Sequence, residues 1–351
     1  MQILEILKNA MDRGSSDVFI IPGSPVYAKA QGRMQPLDGP RVMPPDSEQL
    51  IRQLYEKAER GMDALLKEGD DDFSFSLPGL KGRFRCSTYK QRSSLACVIR
   101  VVTFGLPSAE EMQIPATVMD LYNIKNGMIL VTGAAGSGKS TTLACLIDRI
   151  NREKSGHIIT LEDPIEYVHS HQKCLVSQRE ISHDTESYSA ALRAALRQTP
   201  NVILLGEMRD FETIQTAITA AETGQLLLST LHTIGAAKTI DRIVDVFPAH
   251  QQGQVRIQLS MVLKAVVSQQ LLPLTDGGIA PVFEVMRITP AIQNHIRSGQ
   301  TFQIDNAIYA GEKDGMQTMD GDILRLYRAG RITKEVALAY AANPQAMAAK
   351  L

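Results

Sequence analysis

The sequence of 351 residues contains no tryptophan, and its four cysteines are far apart. Metal sites and disulfide frameworks usually show cysteines in close or regular spacing, and no C-x-x-C pair occurs here. We therefore expect four unpaired thiols that behave as small hydrophobic side chains, and a reducing compartment. The residues concerned are Cys86, Cys97, Cys145 and Cys174.

An excess of charge and long apolar runs are also missing. The formal net charge is −1 and aromatic residues make up 5% of the chain. Channels for single-stranded nucleic acid combine basic grooves with stacked aromatic rings, so we expect no nucleic-acid partner. No apolar run reaches the roughly 18 residues that a membrane span needs, and residues 1–14 lack the layout of a secretory signal. These features predict a cytoplasmic protein without a direct membrane span.

The length and the distribution of turn residues favour two domains. Residues 1–103 alternate short apolar segments with a polar, helix-like stretch, which indicates an α+β domain. Residues 104–115 contain Gly105, Pro107 and Pro115 and are interpreted as a linker. Residues 116–351 begin with alternating strands and helices, which predicts an α/β domain with a mostly parallel sheet and helices on both faces.

The part of the chain after Pro248 is expected to be mostly helical. This expectation comes from one apolar stripe, formed by Val255, Leu259, Val262, Leu263, Val266 and Val267. The alanine-rich tail from residue 333 is expected to be helical as well.

A phosphate-binding pattern is the strongest signal in the sequence. Residues 133–140 fit G-x-x-x-x-G-K-[ST], and an apolar strand precedes them while a helical pattern follows. Such a loop directs free backbone N–H groups and the positive end of a helix towards an anion. Lys139 would contact the β- and γ-phosphates and Ser140 would bind Mg²⁺. The expected nucleotide-binding residues are Gly133, Ala134, Ala135, Gly136, Ser137, Gly138, Lys139, Ser140 and Thr141.

Three further apolar runs also end in polar residues. Ligands of parallel sheets lie beyond the carboxyl ends of the strands, so these residues are expected around the same site. Glu162 and Glu207 are candidates for orienting the attacking water or, with Ser140, for completing the Mg²⁺ shell. Alternatively, Asp163 caps a helix after a turn and Glu207 is a surface carboxylate. His232 is a candidate sensor of the γ-phosphate or partner of Glu207, with a purely structural role left open.

The segment 81–100 contains six basic residues and no acidic ones. An arginine held against a γ-phosphate stabilises the charge of the transition state and couples hydrolysis to domain movement. The alternative is a solvated basic face. The six residues are Lys81, Arg83, Arg85, Lys90, Arg92 and Arg100.

Together these motifs resemble those of the secretion ATPases of type II secretion and type IV pili, over nearly the whole chain. The resemblance is carried by GAAGSGKSTT at 133–142, TLEDPIEYVH at 160–169, SQREI at 177–181, ALRAALRQTPNVILLGEMRD at 191–210, TAAETGQLLLSTLHT at 219–233 and AAKTIDRIVDVFP at 236–248. Within this family the chain looks most like the members that retract pili. The segments 83–92 and 312–320 match that group, and the long N-terminal extension and paired C-x-x-C motif of other members are missing.

The resemblance implies a RecA-like P-loop ATPase domain preceded by a smaller PAS-like α+β domain. It implies a homohexamer that binds ATP and Mg²⁺ between the two domains and powers type IV pilus retraction, and thus twitching motility. The expected partners are an inner-membrane platform protein, at which the ATPase associates peripherally, and a second retraction-type ATPase. Glu162, Glu207 and His232 would take the family's catalytic roles, with Arg85 and Arg92 as arginine sensors.

The sequence departs from the family pattern at three places. Asn201 stands where an acid usually precedes the strand that leads to Glu207, and Gln225 replaces a histidine. The segment AIRNLI of retraction members reads AIQNHI at 291–296. The competing interpretations are a motor for pilus assembly or type II secretion, a regulatory ring that binds nucleotide with little turnover, and a nucleic-acid translocase.

Overall fold

The computed structural model describes residues 2–30, 33–80, 82–103 and 105–351, except for the side chain of Thr103. Lys81 of the basic segment and Phe104 at the start of the predicted linker lie outside the described residues. The chain divides into two compact units, residues 1–105 and 106–351.

The first unit is an antiparallel sheet packed against helices. Within the residues described, the strand order is β3-β2-β1-β6-β5-β4. Alternating burial along β5 places Phe84 and Cys86 in the core while Arg83 and Arg85 lie on the opposite face. The elements are α1 (Ile3–Asp12), β1 (Ser15–Ile20), β2 (Tyr27–Ala30), β3 (Arg33–Pro36), α2 (Pro44–Lys57), α3 (Asp63–Glu68), β4 (Asp70–Ser76), β5 (Gly82–Gln91) and β6 (Ser94–Thr103).

The second unit is built on a mostly parallel sheet with the order β13-β12-β7-β11-β10-β8-β9, in which β13 alone is antiparallel to its neighbour. Its strands are β7 (Gly127–Thr132), β8 (Gly156–Glu162), β9 (Cys174–Glu180), β10 (Val202–Leu205), β11 (Leu226–Leu231), β12 (Leu263–Pro273) and β13 (Ile279–Arg287). Its helices are α4 (Ala116–Met119), α5 (Lys139–Glu153), α6 (Tyr188–Ala195), α7 (Phe211–Glu222), α8 (Ala236–Asp245), α9 (Ala249–Val262), α10 (Pro290–Ser298), α11 (Ile304–Ala310), α12 (Met319–Arg328), α13 (Lys334–Tyr340) and α14 (Pro344–Ala348).

The sheet is buried on both faces, as the sequence predicts. Along β7, Met128 and Leu130 belong to one apolar cluster, whereas Ile129 and Val131 belong to another on the opposite face. The same alternation continues through β8, β10 and β11. Parallel strands covered by helices on both sides read as continuous apolar runs, which is why these four strands were recognisable.

The expectation of a mostly helical chain after Pro248 is wrong between residues 263 and 287, where β12 and β13 lie, and it is confirmed for α9 and for α10 to α14, which include the alanine-rich tail. Helix α9 ends at Val262, and the following residues form β12, which pairs with β7 and β13. Val266 and Val267 are both fully buried, one on each face of the sheet. A short apolar run buried on both sides fits a helix and a strand equally well, and its strand partners lie far away in sequence.

The segment 106–115, which the sequence suggests as a linker, contacts the core of the second unit. Leu106, Ala109, Met112 and Ile114 pack against the same apolar cluster as α5. The domain boundary at residue 103 and the linker assignment remain predictions. Among the described residues, no helix combines the length and the apolar character that crossing a bilayer demands.

One glycine of the second unit allows β7 to begin beside the end of α9. Gly127 has a φ of 99°, and a Cβ on it would lie 2.5 Å from the carbonyl oxygen of Val262. A side chain here therefore needs both a left-handed backbone and a shift of main-chain atoms.

We expect Gly127→Ala to lower the free energy of unfolding by about 2 kcal/mol or more, because this clash involves backbone atoms that cannot rotate away. The matched control is Gly253→Ala, since Gly253 is exposed inside α9 and a Cβ there meets nothing within 4 Å. That substitution should stabilise by about 0.5–1 kcal/mol. Thermal unfolding of both full-length variants checks the pair, and equal shifts would contradict the explanation.

Candidate functional site

The phosphate loop connects β7 to α5 through three glycines in left-handed or strongly positive φ conformations. Gly133, Gly136 and Gly138 have φ values of 144°, 75° and 88°. The ammonium group of Lys139 donates to the carbonyl oxygens of Gly133 at 3.0 Å and Ala134 at 2.9 Å. The loop is thus curled around its own lysine, at the N-terminus of a 15-residue helix.

Strand β12 forms a wall behind this loop. A Cβ on Gly133 would lie 2.2 Å from the carbonyl oxygen of Gln269, and one on Gly138 would lie 2.8 Å from the Gln269 side-chain nitrogen. The Gln269 amide oxygen accepts a hydrogen bond from Thr142 at 2.8 Å. Sequence reasoning missed Gln269 because the strand that carries it was predicted to be a helix.

Seven of the twelve predicted site residues of the second unit line a cleft of about 270 Å³, Ala135 and Gly136 of the phosphate loop among them. Lys139 and Ser140 line it from the start of α5, and Glu162, Glu207 and His232 line it from the ends of three strands. Asp163 also lines the cleft, and in the described chain no helix follows it before β9, so it caps none.

Glu207 is held between two cationic or potentially cationic side chains. One carboxylate oxygen lies 2.6 Å from an Arg209 guanidinium nitrogen, and the other lies 3.2 Å from Nε2 of His232. Thr230 donates from its hydroxyl to the Gly206 carbonyl at 2.7 Å, which ties the ends of β10 and β11 together. The predicted contact between His232 and Glu207 is therefore present, and Arg209 is a partner that sequence reasoning missed.

Glu162 is oriented by two neighbours on the same side of the sheet. Its carboxylate accepts hydrogen bonds from Thr160 at 2.6 Å and from Gln178 at 3.3 Å. Burial raises the pKa of Glu162 to about 7, although both hydrogen bonds favour the ionised form. Burial also lowers the pKa of Lys139, while Glu207 and Glu166 act in the opposite direction.

Two tyrosines that were not among the predicted site residues also line the cleft. The Tyr167 hydroxyl lies 3.0 Å from the hydroxyl of Thr141, on the first turn of α5. Tyr188 is the first residue of α6, and burial together with the charges of Glu207, Asp163 and Glu162 raises its pKa. Its hydroxyl therefore keeps its proton. The only sequence signal was an aromatic residue directly after a serine N-cap.

The residues of the cleft fit a Mg²⁺–triphosphate complex. The glycine loop offers a cradle that any Cβ at Gly133 or Gly138 would fill. Ser140, Glu162 and Glu207 line the cleft and carry oxygen atoms of the kind that Mg²⁺ prefers as ligands. Among the described residues no three acidic, histidine or cysteine side chains form a metal cage.

The two candidate arginine sensors belong to the first unit. Arg85 is half-buried on β5, where it lies opposite Arg100 of β6. Arg92 is exposed in the two-residue turn between β5 and β6, with φ values of 44° at Arg92 and 59° at Ser93. Positive φ at both positions is the geometry of a type I′ hairpin turn. The structure groups the other predicted catalytic residues around the cleft, and the roles of these arginines remain predictions.

Two departures from the family pattern lie at the opposite edge of the sheet. The Asn201 side chain accepts a hydrogen bond from the backbone N–H of His157 at 2.8 Å. The carbonyl of Gln225 accepts from the N–H of Gly127 at 3.0 Å. Both residues precede their strands, at the amino end, and neither lines the cleft.

Comparison with known proteins gives a consistent result. The family model described as "Type II/IV secretion system protein" matches residues 2–280. The type IV pilus retraction ATPase PilT of Pseudomonas aeruginosa is 42% identical over 346 residues, covering 98% of this chain and 99% of PilT. The type IV pilus ATPase PilU of the same organism is 40% identical, covering 97% of this chain and 89% of PilU.

Comparison with a solved structure gives the same result. The crystal structure of the pilus retraction motor PilT with bound ADP superimposes with a TM-score of 0.89 at 44% identity, covering 99% of this chain and 98% of that one. The predicted fold class is thereby confirmed, with a RecA-like second unit and an antiparallel N-terminal unit. From its motifs, its fold and these matches, the chain belongs to the type II/IV secretion system protein family, with strong similarity to PilT.

Proposed function

We propose that this protein is a Mg²⁺-dependent ATPase that powers type IV pilus retraction. The observation that carries the proposal is the cleft in which Lys139, Ser140, Glu162, Glu207 and His232 converge. Its support in sequence is the 42% identity to a retraction ATPase over 98% of the chain.

The chemistry follows from what each side chain offers. Lys139 and the loop N–H groups bind the β- and γ-phosphates, and Ser140 and the carboxylates hold Mg²⁺, which would neutralise charge on the phosphates. Glu162 and Glu207 orient the attacking water. Each carboxylate oxygen of Glu207 is engaged by one partner, Arg209 or His232, and keeps a lone pair that can accept a hydrogen bond from water or bind the metal. His232 thereby links the state of the nucleotide to the end of β11.

The mechanical part of the proposal follows the family. Six copies would form a ring, and Arg85 and Arg92 would sense the γ-phosphate. The ring would act in the cytoplasm on an inner-membrane platform protein, with a second retraction-type ATPase as a further partner. Rigid-body rotation of the units across the segment 104–115 would transmit the energy of hydrolysis.

The altered segment AIQNHI forms the first two turns of α10. Ile292 and Ile296 are buried and anchor the helix, whereas Gln293 and His295 are half-buried. The residues that differ from the family pattern are therefore half-buried neighbours of the two anchoring isoleucines and not the anchors themselves. We infer that this surface adapts the motor to its own partner and leaves hydrolysis intact.

The first prediction concerns turnover. Lys139→Ala removes the phosphate cation and should abolish ATP binding or turnover. Glu207→Ala should retain nucleotide binding but lower kcat by about 100-fold or more, because water loses its orienting carboxylate. Mg²⁺-dependent phosphate release checks both, with Glu153→Ala on the exposed end of α5 as the control that keeps wild-type activity. Negligible rates of phosphate release in both wild type and Glu207→Ala would instead support a regulatory ring. The hexamer is tested separately, by light scattering with nucleotide present.

The second prediction uses the raised pKa of Glu162. The folded state binds this proton more tightly than the unfolded chain, so the stabilisation is complete below about pH 4.5 and is lost as pH rises through about 7. Glu162→Gln cannot ionise. Without nucleotide and Mg²⁺, the Tm of wild type should fall by several degrees relative to Glu162→Gln between about pH 5 and 8. Parallel curves would contradict the buried position of this carboxyl, and Glu153→Gln should follow wild type.

The third prediction tests the direction of the motor in cells. Deletion of the gene should leave cells heavily piliated and unable to twitch, because pili extend without being withdrawn. Bald cells would instead identify a motor for assembly.

Complementation with Gln293→Arg/His295→Leu should leave ATP turnover within about twofold of wild type, since neither residue lines the cleft. Twitching should fall in the same cells. Full twitching by this variant would show that the surface of α10 does not select the partner.

A further inference from the structure

The hydroxyl of Tyr188 lies in the cleft without a hydrogen-bond partner in the described part of the protein. Its position is defined by Gly206, the residue before Glu207. A Cβ on Gly206 would lie 2.8 Å from the Tyr188 hydroxyl oxygen and 3.5 Å from the Cα of Glu162. The hydroxyl therefore stands between the carboxyl ends of β8 and β10, where the two candidate carboxylates leave the sheet.

The backbone that carries this tyrosine is well anchored. Ser187 caps α6 by accepting a hydrogen bond from the N–H of Ala190 at 3.2 Å. Ala191, Leu192 and Ala195 are buried in the apolar cluster that also contains the inward residues of β8 and β10. A side chain on the first turn of such a helix is held by packing and not by a flexible loop.

The protonated hydroxyl of Tyr188 is chemically suited to orient an attacking water. A protonated phenol can accept one hydrogen bond through its oxygen while donating its own proton elsewhere. A water that attacks phosphorus must be oriented through both of its protons while a lone pair points at the γ-phosphate. One carboxylate can accept the proton that the water loses. The second proton needs a neutral acceptor that does not compete for it.

We propose that Tyr188 is a further catalytic residue, whose hydroxyl oxygen accepts a hydrogen bond from the attacking water between Glu162 and Glu207. The inference rests on the proposed ATPase function. In the step, the water oxygen forms a bond to the γ-phosphorus while the bond from that phosphorus to the bridging oxygen breaks and its electron pair leaves with ADP. One water proton passes to a carboxylate, the other stays on the phosphate product, and Tyr188 keeps its own proton.

The decisive variant is Tyr188→Phe, which removes the hydroxyl and keeps the ring. Steady-state phosphate release should show kcat lowered by about tenfold or more, because an orienting contact to the nucleophile is lost. The Kd for ADP, measured by calorimetry, and the Tm should match wild type, since the hydroxyl contacts water and not the nucleotide. Tyr309→Phe is the matched control, because Tyr309 is 73% exposed on α11, and it should keep wild-type kcat.

A second variant displaces the same hydroxyl without removing it. Gly206→Ala places a methyl carbon 2.8 Å from the hydroxyl oxygen, closer than van der Waals contact allows, so Tyr188 must move although it is still present. We expect a loss of kcat similar to that of Tyr188→Phe, with ADP affinity retained. This variant decides the matter if Tyr188→Phe folds poorly.

The outcomes separate this inference from the proposed function. If wild type releases phosphate, Lys139→Ala does not, and Tyr188→Phe stays within twofold of wild type, the role of Tyr188 is refuted while the ATPase stands. A parallel loss of ADP affinity in Tyr188→Phe would also overturn it, because the hydroxyl would then bind nucleotide. Absence of turnover in wild type would overturn both.

Discussion

The parallel register of four strands is the constraint on which the site depends. Thr132 of β7 lies opposite Leu231 of β11, and Leu205 of β10 lies opposite both Leu161 of β8 and Ser229 of β11. The residues that follow these strands therefore leave the sheet at nearly the same level. A slip of one residue between two strands would exchange the two faces of the slipped strand, and the alternating apolar clusters oppose such a slip. Packing of the core thus sets the geometry of the chemistry.

Much of this arrangement could be predicted from the sequence because glycine or polar residues follow each apolar strand where it ends. Gly133, Glu162, Glu207 and His232 directly follow apolar runs or lie within a residue or two of them, and parallel sheets bring such positions to one edge. Gln269 could not be found in this way. Its strand is covered on both faces, continues directly from a helix, and pairs with β7 across more than a hundred residues of chain, so local periodicity carries no sign of it.

Tyr188 and Arg209 were missed for a different reason. Neither belongs to a spacing that requires a particular chemistry, and each gains its position only from the fold. Arg209 follows Glu207 by two residues and folds back onto its carboxylate, whereas Tyr188 reaches the gap that Gly206 leaves open. A glycine beside a candidate catalytic carboxylate is interpreted from the sequence as part of a turn. In the structure it is the space that another side chain occupies.

Side chains at the two edges of the sheet have different tasks, and this explains why Asn201 and Gln225, which depart from the family pattern, lie at the amino edge. At the carboxyl edge the candidate site residues line one cleft, so the chemistry proposed for that cleft depends on their identity. At the amino edge Asn201 only has to accept a hydrogen bond from a neighbouring strand, and Gln225 offers its main-chain carbonyl. The amide of Asn201 can accept its hydrogen bond without adding charge. The main-chain carbonyl at position 225 is available with any residue there. Substitution at the amino edge therefore leaves the residues that line the cleft unaltered.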